Sequence, residues 1–156
     1  MTQPPPSPSH DALARYAEEF NQSAAMRHFG LRLSFPEGTK VRVTLDPVKR
    51  EHLGGLGTDA VNGGVLSAIF DLAIGCTPAL IDPTRRSATV QLSMSFMRPV
   101  RGPHLWAEAT IDQAGASTIF SRCTIFDAEG NACARCDGVV KLSKLPWENG
   151  SSPAVN

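Results

Sequence analysis

The sequence has no excess of charge of either sign, few aromatic residues and no long unbroken apolar run. Its 156 residues include 15 basic and 15 acidic side chains, so the formal net charge is zero. A neutral chain has no electrostatic reason to bind nucleic acid or an anionic membrane, and we expect neither partner. The apolar stretch 65–81 is shorter than the roughly 20 residues of a membrane span and contains Asp71, Gly75 and Pro78.

The amino-terminal sequence MTQPPPSPSH lacks the basic and apolar regions of a secretory signal, so we expect a cytoplasmic protein. Its prolines and small polar residues predict a disordered tail over residues 1–10, and PWENGSSPAVN predicts a loose tail over residues 146–156. Between the tails, residues 11–145 are predicted to form a single domain, because the chain has the length of one domain and no repeat.

Cysteine is scarce, with residues only at positions 76, 123, 133 and 136. Without a secretory signal, we expect free thiols rather than disulfides. Cys133 and Cys136 have the CxxC spacing of zinc and redox sites, but ACARCDGVVKLS has the pattern of a strand, in which residues three apart point to opposite faces. No second CxxC pair or nearby His completes a zinc set, so we expect buried structural cysteines and no metal.

The apolar pattern changes from helical to strand-like along the chain. DALARYAEEFNQSAAMRHF has near-helical spacing, two short extended stretches follow, and a glycine-rich loop leads into a helix predicted from about residue 63 to 81. Residues 87–96, SATVQLSMSF, alternate strictly, and three more extended segments follow in hairpin order. Because the long helix is apolar nearly all round, it must be covered on most sides. The sequence predicts an α+β fold, with one curved antiparallel sheet turning the apolar face of each strand toward this helix.

The central helix opens on Asn62-Gly63-Gly64, and two interpretations stay open. Asn is a preferred N-cap residue, and the glycines permit a sharp entry into the helix. Alternatively, the glycines leave the first backbone N–H groups uncovered at the positive end of the helix dipole. There they can polarise a carbonyl and hold an oxyanion.

Asp71 is the only charged residue between positions 65 and 81. An ionised carboxylate in apolar surroundings is costly and often functional, although a satisfied or solvent-facing acid is the alternative. Asp71 is roughly 12 Å along the axis from Gly63, so one helix cannot easily bring both to one carbonyl. A second, antiparallel copy can place its Asp71 beside the first copy's Gly64, which predicts a dimer with two shared sites.

Over roughly residues 28–143 the chain resembles the hotdog-fold acyl-CoA thioesterases of the PaaI-like type. NGGVLSAIFDLAIG is similar to the family's His-Gly-Gly start with an acid seven residues after the second glycine. TVQLSMSFMRPV is similar to its central strand, which ends in Phe-x-Arg-Pro. The resemblance implies a hotdog fold and hydrolysis of an acyl-CoA thioester, with no cofactor, by a homodimer or a dimer of dimers.

The resemblance also implies roles for single residues. Asp71 would be the general base or the nucleophile. Gly64 and Val65, beside Gly63, would present backbone N–H groups to the thioester oxygen. Thr89 stands where relatives often carry a Ser or Thr that orients water, but it lies on the polar face of its predicted strand.

Asn62 is the main departure, because the family usually has His there, and Asn cannot titrate near neutral pH. His52, in the glycine-rich loop, is either a pocket residue that compensates or a solvated loop residue. Four arginines are candidates for contacts with the CoA phosphates, with ordinary surface charge as the alternative: Arg98 and Arg101 at one end of the predicted strand and Arg85 and Arg86 at the other.

Two other functions compete with hydrolysis. Hotdog dehydratases and hydratases use a His as catalytic base, and the central helix has none. A non-catalytic acyl-CoA or small-ligand binding protein is the stronger alternative, because it explains the missing His. It does not explain why Asp71 is retained. The sequence favours the thioesterase and leaves phenylacetyl, hydroxybenzoyl and medium-chain acyl groups all open.

Overall fold

The computed structural model describes residues 7–147 and confirms the predicted α+β layout. Within this range, helices α1 (His10–Asn21), α2 (Ala24–Phe29) and α3 (Gly63–Gly75) accompany six strands: β1 (Leu31–Ser34), β2 (Val41–Leu45), β3 (Arg85–Phe96), β4 (Leu105–Ala114), β5 (Thr118–Asp127) and β6 (Ala132–Pro146). The strands form one antiparallel sheet in the order β1-β2-β4-β5-β6-β3. The predicted tails fall largely on residues 1–6 and 148–156, outside the described residues.

The core lies between α3 and the concave face of this sheet. Five residues of α3 are buried there: Leu66, Ile69, Phe70, Ala73 and Ile74. They join inward-facing residues of β2, β4, β5 and β6 in one cluster. Each large apolar side chain buried in this way contributes about 1.5–3 kcal/mol. Residues 63–80 have the length and hydropathy of a membrane span, yet half of them are buried inside the fold, where α3 is the core helix.

The helical segment extends to Leu80, close to the predicted end, but its regular part α3 ends at Gly75, just before Pro78. After Gly75 the chain changes to a 3₁₀ turn over Thr77–Leu80. Pro78 has no N–H to continue the helical hydrogen bonds. The Thr77 hydroxyl instead donates to the carbonyl of Ile74 at 2.7 Å, which satisfies one of the last helical acceptors.

A β-bulge in β3 overturns the predicted facing of that strand. Thr89 pairs with Val140 and Gln91 pairs with Val139, so Val90 is an extra residue between them. Opposed residues share a sheet face, and Val140 belongs to the core, so Thr89 faces α3. Beyond the bulge the parity changes, and Leu92 opposes the buried Gly138. The concave face therefore carries residues 87, 89, 92, 94 and 96, while Ala88 and Val90 point outward.

The four cysteines are buried and free, as the sequence predicts. Burial raises the pKa of Cys136 to about 11 and that of Cys76 to about 12. The two thiols of the CxxC segment do not share a partner: Cys133 Sγ donates to the carbonyl of Asn131, and Cys136 Sγ donates to that of Asp137. Thiols with raised pKa values stay protonated at neutral pH, which fits a structural role.

Gly138 of β6 permits a close approach of the sheet to α3. A Cβ atom there would stand 2.6 Å from Ile74 Cγ2 and 3.1 Å from Leu92 Cδ2, too close for either to remain in place. We predict that Gly138→Ala lowers the free energy of unfolding by about 1–3 kcal/mol in urea titrations, because the core is overpacked.

Gly55→Ala is the matched control, since a Cβ atom there meets no atom within 4 Å. We expect it to stay within about 0.5 kcal/mol of the parent protein. Equal stability of the two variants would contradict the close packing of α3 on β6.

Candidate active site

The amino-terminal end of α3 is capped by Asn62. The Asn62 side-chain oxygen accepts a hydrogen bond from the Gly64 N–H at 2.7 Å, and the Asn62 carbonyl accepts one from Leu66. The N-cap interpretation is therefore confirmed. A Cβ atom on residue 64 would lie 2.9 Å from the capping oxygen, whereas one on Gly63 would meet nothing within 4 Å. Glycine at position 64 is thus part of the cap.

The cap changes which backbone donors can meet a ligand. The Gly64 N–H is already occupied by Asn62, while no hydrogen bond within the described chain engages the N–H of Gly63 or Val65. Asn62, Gly63 and Gly64 are all exposed. The helix therefore presents at least two uncovered donors at its positive end, an arrangement that suits an anionic or polarised oxygen.

Hydrogen bonds of His52 fix the loop that precedes Asn62, the N-cap residue of α3. Its carbonyl accepts the Asn62 N–H at 2.8 Å, and its Nδ1 accepts the Lys49 N–H at 2.9 Å. An acceptor at Nδ1 places the proton of the neutral ring on Nε2. His52 is 4% exposed, so the interpretation as a solvated loop residue is wrong. A bridge between Leu53 and Val61 closes the same loop.

Asp71 is solvent-exposed in the protomer, two helical turns beyond the cap. Of the alternatives that the sequence left open, the structure favours a solvent-facing acid over one enclosed by apolar residues of its own chain. Ser67 and Gly75 lie one turn before and after it on the same helix face. Within the described chain, no cation forms an ion pair with this carboxylate.

Two hydroxyl groups of β3 lie one turn past Asp71. Ser87 donates to the carbonyl of Gly75 at 2.9 Å, and Thr89 Oγ1 lies 3.2 Å from where a Gly75 Cβ would stand. The sequence did not indicate Ser87 as a site residue, and it placed Thr89 on the polar face of its strand instead of the face toward α3. In both cases the reason is the bulge at Val90, which alternation alone does not reveal.

The other half of the concave face of β3 is apolar and open. Met94 and Phe96 are 37% and 50% exposed, and the Phe96 ring lies 6.5 Å from that of the buried Phe70. The sheet order places β3 at an edge, so its outer side pairs with no strand of the described chain. Met94 and Phe96 thus form one side of an open apolar slot beside Phe70 of α3, the residue before Asp71.

The arginines predicted as phosphate contacts have different surroundings. Arg101 Nε is paired with Asp59 Oδ1 at 2.6 Å. Arg98 is exposed and shares a shallow basin with Arg135, a residue that the sequence analysis missed. At the other end of β3, Arg85 Nε donates to the carbonyl of Ser143, and Arg86 is exposed.

No metal site accompanies these groups in the part of the chain that the structure describes. No three His, Cys, Asp or Glu side chains from residues 7–147 come together closely enough to hold an ion. The groups near Asp71 in the protomer are thus its own carboxylate and the hydroxyls of Ser67, Ser87 and Thr89, while the free backbone donors of α3 lie at its amino terminus.

The cap predicts a stability effect at Asn62. We expect Asn62→Ala to lower the free energy of unfolding by about 1 kcal/mol, because the Gly64 N–H loses its acceptor. Asn62→Ser, which keeps a capping oxygen, should stay close to the parent protein. Urea titrations of the two variants measure the difference, and equal losses would show that the cap contributes nothing.

Comparisons with known proteins agree with this architecture. The family model of the thioesterase superfamily matches residues 59–134. Comparison with curated protein sequences gives no match. Among solved structures, a thioesterase from Haemophilus influenzae is 18% identical and covers 88% of this chain and 94% of its own, with a TM-score of 0.75. A thioesterase family protein from Silicibacter pomeroyi is also 18% identical, covers 84% of this chain and 97% of its own, and has a TM-score of 0.73.

The E. coli PaaI protein, from the phenylacetic acid degradation operon, is 22% identical over 86% of this chain and 95% of its own, with a TM-score of 0.72. At these identities the similarity establishes the hotdog fold. The family-model match covers the cap, α3, β3 and the start of β6. Over this matched segment, residues 59–134, the chain is similar to the thioesterase superfamily.

Proposed function

We propose that the protein hydrolyses acyl-CoA thioesters at two sites shared across a homodimer. The observation that carries the proposal is the geometry of α3. Uncovered N–H groups stand at its amino terminus, and a solvent-facing Asp71 stands two turns away beside an open apolar slot. These groups are too far apart along one helix to act on one carbonyl. Two copies with antiparallel α3 helices bring a donor set and a carboxylate together twice.

The unpaired edge of β3 supports this dimer. β3 is 12 residues long and leaves one row of backbone N–H and C=O groups without a strand partner in the described chain. Long edge strands with exposed apolar side chains tend to pair with a second chain. Antiparallel pairing of two β3 strands would extend the sheet and complete the slot beside Met94 and Phe96.

In the proposed reaction, the thioester oxygen accepts hydrogen bonds from the free N–H groups of Gly63 and Val65. This interaction strengthens as negative charge develops on the oxygen. Asp71 of the partner removes a proton from water, whose oxygen attacks the carbonyl carbon, or attacks that carbon itself. With water as the attacking group, the C–S bond then breaks, and the CoA thiolate takes up the proton that Asp71 removed. With Asp71 as the attacking group, the C–S bond breaks to leave a mixed anhydride on Asp71, which water hydrolyses to the free acid, and the released proton neutralises the CoA thiolate. Thr89, on the concave face beside Gly75, orients the water.

The residue at position 62 has a limited role in this scheme. Its side-chain oxygen is committed to the Gly64 N–H, while its amide nitrogen has no acceptor within the described chain. Asn62 can therefore donate a hydrogen bond to the substrate carbonyl, but it cannot supply a proton at neutral pH. Hydrolysis needs only the hydrogen bond, because the thiolate is a good leaving group.

A non-catalytic acyl-CoA or small-ligand binding protein is the second candidate. One observation favours it: the residue that caps α3 is Asn, which does not titrate, and His52 is buried in the loop behind it. The exposed Asp71, with no cation paired to it, is the reason to prefer the enzyme.

Asp71→Asn tests the proposal. We expect the variant to lose at least about 100-fold in kcat, because general-base catalysis typically contributes that much, with no loss of thermal stability. Release of free thiol from a panel of acyl-CoA thioesters measures the turnover. Asp11→Asn, at an exposed position of α1, is the matched control and should leave turnover unchanged.

An Asp71→Asn variant as active as the parent would refute the assigned role. If the parent protein binds acyl-CoA but cleaves none of the panel, the binding protein is the better description. Asn62→His would then show whether position 62 is what prevents turnover.

A further inference from the structure

Leu56 is a large apolar side chain that the protomer leaves fully exposed to solvent. It lies at the tip of the loop between Leu53 and Val61, and its backbone has a φ of 58°. A bulky residue seldom adopts this left-handed conformation, and the exposure of its side chain to water is also unfavourable. Two unfavourable features at one residue indicate that Leu56 serves a contact outside its own protomer.

The loop that carries Leu56 is anchored at both ends. The Gly54 N–H donates to the carbonyl of Ala60 at 2.9 Å, which closes the loop around its tip. The Asp59 carboxylate pairs with Arg101 at 2.6 Å, which ties the loop to the chain that follows β3. These contacts hold the loop in place, so a ligand can bury Leu56 with little further ordering of the backbone.

The neighbours of Leu56 in the loop leave it as the side chain that a ligand would meet. Three of them are glycines, at positions 54, 55 and 57. The Thr58 hydroxyl accepts the Ala60 N–H at 3.1 Å, and the Asp59 carboxylate is paired with Arg101. A ligand against the loop tip therefore meets the apolar surface of Leu56 and no unpaired charge.

The loop lies at the end of the protomer that carries the amino terminus of α3 and the apolar half of β3. It leads directly into the Asn62 cap, and the six residues from Leu56 to Asn62 span at most about 20 Å. The Val61 N–H donates to the carbonyl of Val100, four residues after Phe96, at 2.9 Å.

The exposed apolar side chains are concentrated at this end. Seven large ones are exposed among residues 7–147, and four of the seven belong to the loop tip or to the last residues of β3 and its continuation: Leu56, Met94, Phe96 and Met97. An apolar group held at the amino terminus of α3 thus has apolar surface on both sides, from the loop and from β3.

Resting on the proposed function, we infer that Leu56 packs against the acyl chain of the bound thioester and selects for apolar acyl groups longer than acetyl. The contact removes apolar surface of both partners from water. An acetyl group is too short to reach the loop tip from the donors of α3. A charged acyl group would place its charge against Leu56 with no ion partner on the loop, which is costly.

The test compares hexanoyl-CoA with acetyl-CoA on the full chain. In Leu56→Ala, the ratio of kcat/KM for hexanoyl-CoA to that for acetyl-CoA should fall at least about tenfold, because an apolar contact with the longer chain is lost. Leu56→Met keeps an apolar side chain and should keep the ratio. Both substitutions retain the Cβ atom, so the backbone restraint is unchanged. Leu145→Ala, at an exposed position of β6, is the matched control and should also keep the ratio.

Calorimetry with S-hexyl-CoA and with CoA tests the contact apart from catalysis. The parent protein should prefer S-hexyl-CoA, and Leu56→Ala should lower that preference at least about tenfold. A parent protein without this preference, or an unchanged acyl preference in Leu56→Ala, would overturn the inference. If the parent cleaves neither thioester, the proposed hydrolysis fails, and the calorimetry alone decides the role of Leu56.

Sedimentation velocity separates the acyl chain from a second copy as the group that covers Leu56. The parent protein and Leu56→Ala should form assemblies of the same size. A smaller assembly in the variant would show that the partner subunit buries this side chain, and the inference would be wrong.

Discussion

The burial of α3 against the concave face of the sheet is the constraint on which the rest of the structure depends. Ile74 fits against Gly138 so closely that a Cβ atom cannot be accommodated, and Phe70 is fully enclosed. A helix held along its length in this way has few directions in which to move. The two features on which the proposed function rests, the capped amino terminus and Asp71, are therefore fixed relative to the sheet and to each other.

The bulge at Val90 determines which side chains of β3 face α3 on the open side of the candidate site. Without it, strict alternation would turn either the hydroxyls of Ser87 and Thr89 or the apolar residues of the second half of β3 away from α3. With the extra residue, both sets face the helix. The strand is thereby divided into a polar half beside the carboxyl end of α3 and an apolar half toward its amino end. In the proposed function the polar half serves the water and the apolar half serves the acyl group.

Much of this architecture follows from local sequence signals. The change from helical spacing to alternation predicts the order of the elements, and Asn62-Gly63-Gly64 predicts the cap because N-cap chemistry is local. The facing of Thr89 could not be predicted, since a bulge is decided by the partner strand. The sequence could not predict that Arg98 and Arg135 share a basin, for a similar reason. The two residues are 37 positions apart, and only the pairing of β3 with β6 makes them neighbours. The exposure of Asp71 likewise depends on which face of α3 the sheet leaves open.

The central claim is that each active site takes its donors from one subunit and its carboxylate from the other. Mixed dimers of Asp71→Asn and Gly64→Val test it directly. Each variant alone should be inactive, because the first lacks the carboxylate and the second carries a side chain that displaces the Asn62 cap beside the donors. After joint unfolding and refolding in equal amounts, half of the dimers are mixed, and each mixed dimer has one intact site. The account predicts recovery of about a quarter of the parent turnover, by random pairing across a two-fold interface. If the mixture stays as inactive as its components, each site is built within one chain and the account is wrong.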